Sequence, residues 1–240
     1  MKTGLENLDK AFNIEQPQLV LFAGNPIIDM LSGDIANNIC LANERYEVLE
    51  VVSCFKEYLI KRLFINQASV DYRKWCLKNQ YTEEELRKIG QVTVNLIETT
   101  QKLPQIIENK LWNLKDLKKY IYKFVNSYAD RDEIMSLIII DIYPFNNYNS
   151  SKKDKVRYEY KKFMRAMNKY SKRYNCPILI ICTNEIILDE ISKYADRIIR
   201  LRDMNHSIVD LEVIESGNII NSCKLKYNYE IRKFEDCKEQ

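Results

Sequence analysis

Glycine is scarce in this sequence: five residues in 240, where globular proteins average about 7%. No two of them lie within eight residues of each other. That excludes the glycine-rich loops with which most nucleotide-binding folds wrap phosphate, and also collagen-like repeats and flexible linkers. Proline is equally sparse, at five. One histidine, His206, gives a histidine metal site or a catalytic triad almost nothing to work with. Seven cysteines, at 40, 54, 76, 176, 182, 223 and 237, make an odd count with no C-x-x-C. Neither a disulfide framework nor a zinc site is expected; reduced thiols in a cytoplasmic protein fit best. The opening residues carry no apolar segment of the signal-peptide kind. Apolar runs such as Leu137–Ile140 are far too short to cross a bilayer, so no membrane partner is expected. Net charge is only +3, from 37 basic and 34 acidic side chains, so no global field for polyanions exists.

What is present is a globular composition, 46% hydrophobic and 30% charged, and no repeat or linker breaks it. The chain reads as a single domain, residues 1–240. Short apolar runs alternate with helical patterns. Leu19–Ala23, Val48–Ser53, Leu137–Ile140 and Pro177–Cys182 read as strands, and the lack of alternation in several places them inside a sheet covered on both faces. Ser32–Asn43, Lys56–Asn66 and Lys155–Tyr174 read as helices. Thr82 with Glu85 forms a capping box opening a helix toward Glu98, and Asn113 and Asp116 start another. Ile198–Leu201, Ile208–Ile214 and Ile219–Tyr227 read as successive strands, with Ser216-Gly217-Asn218 as a turn. The fold class is therefore α/β: a mostly parallel sheet flanked by helices, with an antiparallel edge of C-terminal hairpins.

Several strings then line up, in order, with one family. Thr3-Gly4 with Leu8-Asp9, Lys56-Glu57 with Leu59 and Arg62-Leu63, Val70-Asp71, Thr82-Glu83-Glu84, the strand ending at Asp141, Cys176-Pro177, Ala195-Asp196 with Arg202-Asp203, and Lys224-Leu225 through Phe234-Glu235-Asp236 are similar to the C-terminal RecA-like motor domain of DnaB-type replicative helicases. The likeness covers nearly the whole chain and implies a RecA-like fold of the P-loop NTPase type. It begins at the motor domain. Without the family's N-terminal domain and linker helix, ring assembly by the usual route is not expected.

The resemblance also says what is missing. The family's phosphate loop ends in Gly-Lys-Thr; here Ala23-Gly24-Asn25-Pro26 runs into Ile27-Ile28-Asp29-Met30-Leu31. Asp29 stands at the glycine, and Met30 and Leu31 at the lysine and hydroxyl that would neutralise phosphate and hold Mg²⁺. No lysine occurs between residues 11 and 55. Anchoring on Lys56-Glu57 puts Ser53 at the catalytic glutamate; Glu50, three residues earlier, would face the other side of its strand. Thr183 stands at the sensor position, and Ile214, Glu215 and Ser216 at the Lys-x-Arg finger. Only Asp141 keeps its family role, as the Walker B carboxylate, and without the loop a strand-end carboxylate capping its surroundings is the simpler account. The degenerate positions are thus Asn25, Asp29, Met30, Ser53, Asp141, Thr183 and Ser216. No catalytic residue, metal or cofactor is expected; the alternative keeps ATP and Mg²⁺.

One basic cluster stands out. Residues 151–173 hold ten Lys/Arg against two acids, a local +8 that leaves −5 on the rest. In the resembling helicases the loop before this segment faces single-stranded DNA, which makes Lys152, Lys153, Lys155, Arg157, Lys161 and Lys162 the candidate nucleic-acid contacts, with Tyr143, Phe145 and Tyr148 nearby. A solvated helix face is the competing account. The second channel loop, Glu185–Tyr194, is much shorter than the family's. The leading expectation is a non-hydrolysing binding or regulatory partner in DNA replication, docking on a replicative helicase or another replication protein. The alternatives are a weakly active domain that still binds ATP or single-stranded DNA, and a self-associating structural protein.

Overall fold

Uninterrupted apolar runs of four to six residues become the centre of one nine-stranded sheet. A computed structural model describes residues 1–14, 17–25, 27–42, 46–52, 56–76, 81–98, 104–108, 113–128, 134–142 and 153–237. The strands are β1 (Leu19–Ala23), β2 (Tyr46–Val52), β3 (Gln105–Glu108), β4 (Ile134–Asp141), β5 (Ile178–Cys182), β6 (Arg197–Asn205), β7 (Ile208–Glu215), β8 (Asn218–Asn228) and β9 (Lys233–Asp236). Their order across the sheet is β3-β2-β4-β5-β1-β6-β7-β8-β9. The first six in that order run parallel, and the last three turn back as antiparallel hairpins. The helices are α1 (Glu6–Ala11), α2 (Ile28–Ala42), α3 (Lys56–Ala68), α4 (Tyr72–Cys76), α5 (Glu83–Glu98), α6 (Leu114–Tyr128), α7 (Lys153–Tyr174) and α8 (Glu185–Ile191), the last followed by a 3-10 turn at Ser192–Tyr194. The expected mostly parallel sheet with an antiparallel edge is the one found.

Every residue of β1 and β5 is buried, because helices cover both faces. Strand alternation divides the core. Val20, Phe22, Leu137, Ile139, Leu179 and Ile181 pack with Leu8 of α1 and Leu31, Ile35 and Ile39 of α2. Leu19, Leu21, Ile138, Ile140, Ile178 and Ile180 pack with Leu117 and Ile121 of α6 and with Tyr160, Phe163, Met164 and Met167 of α7. The predicted inner face of α7 is buried in full. Local chemistry sets the ends. Thr82 N–H donates to Glu85 Oε2 at 2.8 Å while Glu85 N–H donates to Thr82 Oγ1 at 3.2 Å. Ser216 and Gly217, at φ 51° and 82°, supply the two left-handed residues of the β7–β8 turn. Among the described residues, no helix is long and apolar enough to cross a membrane.

Four elements depart from the sequence reading. Helix α2 begins at Ile28, four residues before Ser32, because the turn after β1 feeds directly into it. The four-residue strands β3 and β9 carry too little pattern to announce themselves. Glu185–Tyr194 is a folded element instead of a loop: Asn184 Oδ1 accepts from the Ile186 and Ile187 N–H groups, and Ile187, Leu188 and Ile191 are buried. The side chains of Trp75 and Trp112 lie outside the described residues.

Candidate functional site

Parallel strands bring sequence-distant residues to one edge, because every strand ends on the same side. Ala23 of β1 sits opposite Cys182 of β5, and Ile181 opposite Asp141 of β4. Glu50 of β2 pairs with Ile139. Alternation then fixes faces. Asp141 follows Leu137 and Ile139, and Glu50 follows Val48, all on the face covered by α2. Two carboxylates thus point from the sheet toward the helix whose first turn carries Asp29.

The turn after β1 is closed on itself. Asn25 Oδ1 accepts from Ile27 N–H at 3.1 Å. Asn25 carbonyl accepts from Ile28 N–H at 2.9 Å, and Ile27 carbonyl from Met30 and Leu31 N–H at 3.0 and 3.3 Å. The Ile27, Ile28, Met30 and Leu31 amides are thus engaged within the segment. Gly24, at φ 121°, is required for packing: a Cβ there would lie 2.9 Å from the Leu201 carbonyl oxygen of β6. Met30 packs against the α2 core, where its Sδ accepts a hydrogen bond from Tyr227 Oη at 2.7 Å. Leu31 is fully buried.

Asp29 remains at the mouth. Its side chain is part-exposed, but Oδ1 is buried without a hydrogen-bond partner. Burial, then the charges of Asp141 and Glu50, push its carboxyl up to about 7. Glu50 is 4% exposed, and among the described residues no hydrogen bond or ion pair reaches its carboxyl. Burial raises it to about 7, against the pull of Arg62 and with the repulsion of Asp34. Asp141 is buried at the strand end.

Beneath this edge lies a buried ionic knot. Arg62 of α3, 2% exposed, donates through Nη2 to Asp34 Oδ1 at 2.7 Å and to the Met30 carbonyl at 2.8 Å, and through Nε to the Arg232 carbonyl at 3.1 Å. Asp34 Oδ2 accepts from Phe234 N–H at 2.8 Å. Burial raises the Asp34 carboxyl, with Arg62 and that N–H opposing. Gly33 makes the approach possible: a Cβ there would stand 2.9 Å from Arg62 Nη1 and 3.6 Å from Glu50 Oε1.

The structure brings Asp29 and Asp141 together and adds Glu50, which the sequence reading had turned away from the site. Thr183 is half-buried just beyond β5, on the same edge. Ser216 does not join them. Ile214 pairs with Ile198 near the start of β6, and Arg197 pairs with Val20 near the start of β1, so Ser216 lies at the opposite edge of the sheet. There it lines a cleft of about 600 Å³ with Lys193, Asp196 and Arg197. Ser53 and Lys152 lie outside the described residues, as do the side chains of Lys153 and Lys155. Arg157 pairs with Glu190 at 2.7 Å, Lys161 is half-buried, and Lys162 sits 4.2 Å over the exposed Tyr158 ring. Sequence reasoning missed Asp34 and Arg62 as a pair. The available signal was a charge at a helical position flanked by apolar residues.

No protein-family model matches the chain, and no curated protein matches it. Solved structures do. One, described as an ATPase domain, superposes with a TM-score of 0.74 at 14% identity, over 99% of this chain and 91% of that one. A DnaB-like replicative helicase, described with its interactions with primase, gives a TM-score of 0.72 at 14% identity, over 99% of this chain and 63% of that one. This chain thus spans less than two thirds of that second protein. At such identity the likeness shows the fold: that of DnaB-like replicative helicase ATPase domains, as the resemblance implied.

Proposed function

We propose that this chain is a catalytically degenerate helicase-type domain that neither binds nor hydrolyses ATP and acts in DNA replication as a partner of a replicative helicase or another replication protein. The observation that carries the first half is the edge around Asp29. Nucleoside triphosphate with Mg²⁺ needs free amides, a cation and a hydroxyl. The described residues offer amides engaged at Ile27, Ile28, Met30 and Leu31, a thioether packed against the core, and a carboxyl facing two more carboxyls. The electrostatic sign is wrong for phosphate. The partner role is supported by the fold likeness, since a like-folded domain can present a helicase-type surface without turnover.

Purified protein with ATP and Mg²⁺ is expected to release phosphate at the buffer rate, and calorimetry is expected to register no nucleotide binding. Turnover abolished by Asp141→Ala would overturn the reading. Met30→Lys should not restore activity, because Asp29 stays beside it and the hydroxyl is still missing at Leu31; multiple turnovers would point to Glu50 as the base.

A second reading, weak binding of single-stranded DNA, is favoured by one observation: Lys162, Arg165, Lys169, Lys172 and Arg173 of α7 are all exposed. Such binding should be sequence-independent and steeply salt-sensitive. Reversing Lys162, Lys169 and Lys172 to glutamate should abolish a fluorescence-anisotropy signal obtained at low salt. A signal that survives both the reversal and moderate salt would rule this face out.

A further inference from the structure

Positive charge in this chain is gathered onto two adjacent helices. Helix α7 carries nine Lys/Arg against two acids and α6 four against one, a combined +10 that leaves −7 on the rest of a chain of net charge +3. The two helices pack side by side on one face of the sheet. Tyr122 of α6 meets Tyr170 of α7 with ring centroids 5.9 Å apart, and one turn further along both helices Tyr174 Oη donates to Asn126 Oδ1 at 2.8 Å. The helices therefore run parallel. Their register sets Lys115, Lys119 and Lys123 of α6, all exposed, level with the stretch of α7 that exposes Lys162, Arg165, Lys169, Lys172 and Arg173. The resulting face is about 17 Å long and two helices wide. Among the described residues, one of these eight cations has an acidic partner: Lys119, 3.9 Å from Asp116. Where an acid is within reach the chain uses it, as Arg157 shows by pairing with Glu190 at 2.7 Å on the α8 side. The α6–α7 face is left with like charges side by side and no acid of its own to answer them.

We propose that the α6–α7 face docks an acidic segment of a partner protein, rich in aspartate or glutamate with apolar residues interspersed. This rests on the reading above that the chain acts by binding a replication protein, and it says which surface does so and what that surface takes. Charge complementarity commits the occupant to negative charge. The rings favour a peptide over nucleic acid. A single strand lays its bases on open aromatic faces, and here the rings are turned to one another or to cations. Lys162 Nζ sits 4.2 Å over the Tyr158 ring, the Arg173 guanidinium is 5.4 Å from the Tyr174 ring, and Tyr170 lies between Tyr122 and Tyr174 at 5.9 and 6.1 Å. What remains open is apolar flank, on Tyr122 at 40% exposure and Tyr158 at 54%, together with the lysine stems. Such a surface suits apolar side chains set between carboxylates. An extended segment of about five residues spans it.

The test uses the full chain and a short fluorescein-labelled peptide of Asp-Asp-Phe repeats, with the matching Asn-Asn-Phe peptide as its uncharged isostere. Fluorescence anisotropy at low salt should register binding of the acidic peptide and none of the isostere, and moderate salt should weaken the binding several-fold. Lys119→Glu with Lys123→Glu on α6 should weaken it about ten-fold, and so should Lys169→Glu with Lys172→Glu on α7. Arg87→Glu with Lys226→Glu, which removes as much positive charge from α5 and β8, should leave it unchanged. All six residues are exposed, so each variant should keep the parent's circular dichroism. Equal binding of the isostere, unchanged binding by either helix variant, or an oligothymidylate of equal charge binding as tightly as the peptide would each overturn the proposal, the last because the face would then be a nucleic-acid surface. ATP turnover assayed in parallel separates the two readings. Without turnover, failure of the peptide to bind sinks this inference alone. With turnover, the partner reading fails and takes this inference with it.

Discussion

Arg62→Met should lower the melting temperature by roughly 10 °C. Methionine fills similar volume but leaves Asp34 buried without its ion-pair partner, with only the more distant charge of Lys233 acting on it. Breaking a buried pair from one side costs about 3–5 kcal/mol, most of it the isolated charge. The loss extends beyond the pair, because Arg62 also caps the carbonyls of Met30 and Arg232 and opposes the rise of the Glu50 carboxyl. Replacing both partners, Arg62→Met with Asp34→Leu, should return a large part of the loss. Thermal unfolding followed by circular dichroism decides it. If Arg62→Met melts within a degree or two of the parent, the knot is not what fastens α2, α3 and the last hairpin together.

The second large effect concerns pH. Asp29 rises from 3.8 to about 7 and Glu50 from 4.5 to about 7. Between those limits the folded protein holds protons that the unfolded chain has released, so stability falls as pH rises from about 4 to about 7 and levels off above. This is the reverse of the usual acid-destabilised pattern of ion-paired carboxylates. After allowance for the partial exposure of Asp29, the two groups together should account for on the order of 2 kcal/mol between pH 5 and pH 8. Urea unfolding at those two pH values measures it. Asp29→Asn with Glu50→Gln should be more stable than the parent at pH 8 and nearly equal to it at pH 5. Parallel profiles for parent and variant would show that the carboxyls are ordinary.

Much of the architecture was legible because it is written in local chemistry. Runs such as Leu19–Ala23 and Ile178–Cys182 lack alternation because both of their faces are covered, and the Thr82–Glu85 box announces its helix through two reciprocal hydrogen bonds. What escaped was set by distance. β9 is four residues held by pairing with the end of β8, and no local pattern encodes that partner. The same holds at the site. Asp29 and Asp141 follow from the family strings, but those strings offer only Ser53 as a reference for Glu50. Its true neighbours, Gly33 and Arg62, come from two different helices that only the finished sheet brings against it. The pairing of Asp34 with Arg62 was invisible for the same reason: each looked like a stray charge on its own helix.

The knot also has a consequence in time. Asp34 and Arg62 are made early by the ribosome, whereas the Arg232 carbonyl and Phe234 N–H that complete their coordination lie 170 and 200 residues further on. Until residues 232–234 are made, α2 and α3 hold a charge pair whose remaining contacts do not yet exist. The nascent chain therefore cannot lock α2 against α3 before the β8–β9 hairpin is made, and vectorial, piecewise maturation gives way to a closing step in which that hairpin acts as the latch.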